Sequence, residues 1–150
     1  MSLFGTFFIF ILFPLLAFEG DQSTQISPFH RYMTPVSIFL SMGSCLMAST
    51  ASSMLINGDN SKCIRTKDMS NSVVAGGIAV GTASFYITTP YLALIVGIVS
   101  GILQQIFDNC LEKLIYKKFG LISTHSFTVY CLQGFIGAVF ATAYNGRITK

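Results

Sequence analysis

The sequence predicts an all-α membrane protein with five transmembrane helices forming a single membrane domain over residues 1–150, and three observations carry that prediction. First, 52% of its 150 residues are hydrophobic and only 10% are charged, giving a mean hydropathy of +0.65, whereas soluble domains carry about 25% charge. Second, Ser70 to Phe107 contains no charged residue and is interrupted by Thr88-Thr89-Pro90. At about 1.5 Å of rise per residue it is too long for one ~30 Å hydrocarbon crossing and right for two. Third, the other apolar stretches are separated by short polar segments that hold the basic residues.

The first span is expected over residues 3–18, a run of Phe, Leu and Ile that ends at Glu19-Gly20-Asp21. Its position resembles that of a signal peptide. However, Met1-Ser2 supplies no basic side chain, the run is long for a signal's apolar core, and Pro14 with Phe18-Glu19 is a poor cleavage site; a retained span is the reading adopted. After a polar segment with Ser27-Pro28, the second span is expected over residues 34–56. It is rich in small residues, from Gly43 and Ser44 to Ala48, Ser49 and Ser53, which lets it approach other helices closely where lipid offers no competing hydrogen bonds.

A loop with Gly58-Asp59-Asn60 turn chemistry leads to the third and fourth spans, residues 70–88 and 91–107. Gly76, Gly77 and Gly81 in one limb, and Gly97 and Gly101 in the other, are candidate helix-packing positions. The fourth span runs on into an amphipathic exit where Asp108 and Glu112 stand one turn apart. With Lys113, Lys117 and Lys118 close behind, that exit reads as a solvated helix end rather than an acid/base pair. The fifth span, residues 121–144, has no formal charge apart from a possible one on His125, and it adds Gly134 and Gly137 to the packing candidates.

Orientation follows from the nine basic residues, which outnumber six acids. The loops after the second and fourth spans hold Lys62, Arg65, Lys67, Lys113, Lys117 and Lys118; the opposite side holds Arg31, Arg147 and Lys150. The excess places the Met1 end and both basic loops in the cytoplasm. Basic residues in short loops, not in a stripe, exclude a nucleic-acid role. Cys45, Cys63, Cys110 and Cys131 lack CxxC spacing and adjacent histidines, and three of them fall within or at the ends of apolar spans, so free buried thiols are expected, with no metal and no cofactor. The spans hold one histidine and no nearby acid or base, so no enzyme is expected; Ser123-Thr124-His125 are adjacent helix positions that point in different directions.

Ala75-Gly76-Gly77-Ile78-Ala79-Val80-Gly81-Thr82-Ala83, then Pro90-Tyr91, then Ala93-Leu94-Ile95-Val96-Gly97 closely resembles the Rh glycoprotein branch of the ammonium transporter family. Leu3-Phe4-Gly5-Thr6-Phe7-Phe8 followed by Phe13-Pro14 is similar to that family's preceding span. The resemblance implies an incomplete ammonium-transporter-like fold, with the five spans corresponding to a run in the second half of an eleven- or twelve-helix channel. It implies membrane lipid, a homotrimer or companion helices as partners, ammonium or ammonia as substrate, and the plasma membrane as location.

The family's pore uses a phenylalanine gate above two histidines. By resemblance the gate falls on Leu16 and the asparagine after it on Ala17. Ser123-Thr124-His125-Ser126 and Gln133-Gly134 bracket the second-half histidine segment, which puts Tyr130 or Cys131 at the histidine position and His125 about one and a half turns too early. Leu16, His125, Tyr130 and Cys131 are therefore the pore and gate candidates. Transport as part of an Rh-type channel is the leading expectation, and a non-conducting membrane scaffold derived from that family is the alternative.

Overall fold

A computed structural model describes residues 2–20, 28–57, 66–81, 83–84, 89–119 and 127–148, and every element among them is helical. The helices are α1 (Ser2–Gly20), α2 (Pro28–Asn57), α3 (Thr66–Gly81), α4 (Pro90–Phe119) and α5 (Gln133–Ile148), with a π-helical turn at Phe127–Leu132 leading directly into α5. The chain is an all-α membrane protein. Two stretches, Tyr32–Leu55 in α2 and Pro90–Cys110 in α4, are long and apolar enough to cross a bilayer; Phe4–Leu16 and Val129–Tyr144 are shorter apolar helices.

Local chemistry explains several boundaries. α4 opens on Pro90, whose missing N–H costs nothing at the first helical position, while the Thr89 carbonyl accepts the Leu92 N–H at 3.2 Å. α3 stops at Gly81 rather than running to residue 88, and the Ala83 N–H turns back to the Val80 carbonyl at 2.9 Å. α4 continues to Phe119, well past residue 107, because nothing after Phe107 breaks a helix: there is no Pro or Gly, and Leu, Glu and Lys are good formers. Pro14 and Pro35 sit inside α1 and α2, where packing within a membrane bundle tolerates the lost backbone bond.

α3 is the central helix: it touches α1, α2, α4, the π turn and α5, while α2 makes its most extensive contact with α4. The core is correspondingly small-featured, built on Ile38, Met42, Val73, Ala79, Val80, Ala93 and Val96. Phe10 and Phe13 of α1 pack against it from one side, and Phe10 meets Phe39 edge-on with ring centroids 4.5 Å apart.

Register along the α2–α4 seam fixes direction. A side chain at Gly97 would strike Ser41 and Ser44, and one at Gly101 would strike Cys45, Ala48 and Ser49. Residue numbers climb together on both helices, so α2 and α4 run parallel. Two parallel helices can both cross a bilayer only if the chain between them returns across it, and α3 is the described element in that interval.

Candidate functional site

The seam between α2, α3 and α4 is where backbones come closest. A Cβ at Gly97 would overlap the Ser44 hydroxyl and come within 2.5 Å of the Ser41 carbonyl oxygen; at Gly101 it would lie 2.6 Å from the Cys45 carbonyl oxygen. At Gly76 it would lie 2.7 Å from Cys45 Cβ and 2.8 Å from the Ser41 carbonyl oxygen. Real side chains never approach so closely, so only glycine fits these three positions. The serines of α2 exploit the proximity: Ser41 Oγ donates to the Gly76 carbonyl at 2.8 Å, across the helix pair. Ser44 and Ser52 bond only within α2, to the carbonyls of Ser41 and of Ala48 and Ser49.

The glycine candidates divide. Gly77 faces the ring of Phe13, with 2.8 Å to its Cε1, the yielding end of a side chain rather than a backbone. Gly137 is buried in α5. Gly81 and Gly134 meet nothing within 4 Å, so neither marks a close approach among the described residues.

A second polar feature lies on the adjoining face of α4. Ser100, Gln104 and Asp108 are spaced i, i+4, i+8 on one side of the helix, and all are buried: Ser100 and Gln104 are 0% exposed and Asp108 is 8% exposed. The solvated reading of Asp108 is therefore corrected; α4 continues in its partners' company past the point where apolar periodicity fades, and the carboxylate turns inward and is engaged there. Ser100 Oγ donates to Cys45 Sγ of α2 at 3.3 Å and to the Gly97 carbonyl at 2.9 Å. From α5, Gln133 Nε2 donates to the Ser100 carbonyl at 3.1 Å. Gln133 is also 0% exposed. The sequence alone marks neither glutamine as a site residue: Gln104 stands near a helix exit that looks solvated and Gln133 only brackets the histidine segment, although the i, i+4, i+8 polar spacing within apolar α4 is a usable signal.

The pore and gate candidates do not converge. Leu16 lies on α1 at 66% exposed, Tyr130 in the π turn is 60% exposed, and Cys131 beside it is exposed. The expectation of buried thiols is corrected by Cys131 and by Cys110 of α4, which lie on faces turned away from the core; of the described cysteines Cys45 alone is buried. α1 makes no contact with the π turn or α5 among the described residues, because α3 stands between them. His125 lies outside the described residues. Outward-facing α2 and α4 side chains, among them Leu40, Met47, Leu55, Leu94 and Ile98, form an apolar groove of about 810 Å³. Among the described residues no three His, Cys, Asp or Glu side chains group as metal ligands.

Residues 1–146 match the model of the Ammonium Transporter Family. Similar curated proteins include Ammonium transporter Rh type C of Xenopus laevis, 27% identical over 143 residues, with 92% of this chain and 28% of the relative covered. Ammonium transporter Rh type B of Danio rerio is 26% identical over 139 residues, covering 92% of this chain and 29% of the relative. Ammonium transporter Rh type C of Gasterosteus aculeatus is 29% identical over 148 residues, covering 95% and 29%. The chain thus spans less than a third of the length of these relatives.

Proposed function

The chain belongs to the ammonium transporter family, and from that premise we propose that it serves transmembrane movement of ammonium or ammonia as one part of an Rh-type assembly. The observation that carries the reading is the family match over residues 1–146, supported by relatives whose own names say ammonium transporter. In this proposal the chain supplies one wall. Its exposed faces, including Leu16 on α1 and Tyr130 and Cys131 before α5, meet companion helices or further copies of the chain, and the conduit runs between. A homotrimer, a plasma-membrane location and a cytoplasmic Met1 end belong to the same proposal, the last from the excess of basic residues in two loops.

A second reading, a non-conducting membrane scaffold, is favoured by one observation: the gate and histidine positions lie on helices that α3 keeps apart. Flux separates the two. Proteoliposomes holding the correctly inserted chain should acidify or alkalinise faster than empty vesicles when an ammonium gradient is imposed. Rates equal to those of empty vesicles, with and without the companion helices of a longer relative, would reject transport and leave the scaffold.

A further inference from the structure

Gln104 is fully buried, yet neither its amide nitrogen nor its amide oxygen has a hydrogen-bond partner, and the amide oxygen of Gln133 is equally unmet. The two side chains are neighbours by construction. Gln133 Nε2 is bound to the Ser100 carbonyl, which in the ladder of an α-helix is the acceptor for the backbone N–H of residue 104, so the Gln133 amide lies beside the very turn that carries Gln104. Leaving three such groups unpaired inside a bilayer is costly, since bulk water does not reach them. An unpartnered glutamine costs stability there that methionine, filling the same volume, would not.

From this arrangement we infer that Gln104 and Gln133 form a binding site for one small, uncharged molecule carrying at least two hydrogen-bond donors and one lone pair, the class to which water and ammonia belong. The stoichiometry sets the class. Two carbonyl oxygens need donors, and the Gln104 NH₂ needs an acceptor. An anion would leave both oxygens unmet and a metal ion would leave the NH₂ unmet. On the α2 side Ser100 Oγ already donates to Cys45 Sγ, and Asp108, one turn further along α4, has an interaction of its own. The three rotatable bonds of Gln104 give the ligand its way in. The π turn that delivers Gln133 adds to the case, because such turns mark places where a helix is bent to serve a site. The ammonia arm of this inference rests on the transport reading above; the water arm does not.

The test uses the full chain in detergent or lipid with ¹³C-labelled glutamine, comparing the wild type with Gln104→Met by infrared difference spectroscopy. The subtraction isolates the Gln104 carbonyl band, and Gln133→Met gives the same measurement for its partner should the first variant fail to fold. Spectra and thermal unfolding are recorded with sodium chloride and with ammonium chloride at one alkaline pH, where part of the ammonium is ammonia. A hydrogen-bonded band in sodium chloride that is unchanged by ammonium identifies water as the occupant and supports the site. A band that moves to bonded frequency only with ammonium, with a rise in wild-type Tm of about 3 °C that the variant lacks, supports ammonia. A band at the frequency of an unbonded amide in both salts, with the methionine variant melting at or above the wild type, overturns the inference. Flux measured on the same preparation keeps the two claims apart: binding without flux removes conduction and leaves the site standing.

Discussion

Two faces of α4 meet the rest of the bundle and do so by opposite means. Toward α2 it presents Gly97 and Gly101, which offer no side chain and let backbone meet backbone; toward α5 and the interior it presents Ser100, Gln104 and Asp108, which offer polar groups that need partners. The glycine face gains from dispersion and from Ser41's bond to α3, and every group on it is met. The amide face carries groups that are unmet. In a membrane, where apolar contact between helices competes with equally apolar lipid, the first arrangement holds a fold together and the second costs stability unless a partner meets it.

The largest effect should come from giving the glycine face a side chain. Gly97→Leu should destabilise by more than ~3 kcal/mol, because the new atoms meet Ser44 and the Ser41 backbone, which cannot yield; loss of the folded monodisperse form in detergent is the measurement. Gly101→Leu should do the same through the Cys45 backbone. Next in size is Gln104→Met, expected to lower stability by about 1–3 kcal/mol in ammonium chloride at alkaline pH, because the hydrogen bonds that meet the buried amide are lost; thermal unfolding reads it, and a rise there counts against the site. Ser41→Ala removes one interhelical hydrogen bond to Gly76 and should cost only about 0.6 kcal/mol. Smallest is Gly43→Ala, where a Cβ meets nothing; it should stabilise by up to about 1 kcal/mol from helix propensity alone. A thiol probe adds a different axis: Cys131 and Cys110 should react with maleimide in the folded chain while buried Cys45 stays protected, as read by peptide mass.

Much of the fold was legible because membrane helices advertise themselves. The uncharged run from Ser70 to Phe107, the Pro90 break and the glycine pairs all follow from bilayer thickness and backbone chemistry. The boundaries were less so: α3 ends at Gly81 and α4 runs to Phe119, since helix ends within a bundle depend on neighbours that periodicity does not show. The π turn at Phe127–Leu132 was invisible, because an i→i+5 pattern leaves no compositional mark. For the candidate site, the glycine positions could be read from spacing, but only the structure separates Gly97 and Gly101, which touch backbone, from Gly81 and Gly134, which touch nothing. The resemblance located Leu16, Tyr130 and Cys131 by alignment alone; that α3 lies between them is a fact of packing.

The parallel run of α2 and α4 bears on how the chain reaches its membrane. α3, the element available to return between them, is only 16 residues long and begins Thr-Lys-Asp-Met-Ser-Asn-Ser, whereas α2 and α4 contain the stretches apolar enough to cross alone. A weakly apolar segment enters lipid on the strength of its neighbours. The expected order of insertion is therefore set by strength rather than by position, with α2 and α4 committing first and α3 drawn in between them; a ribosome stalled before α4 should leave α3 outside the bilayer, which protease accessibility of the stalled chain would check.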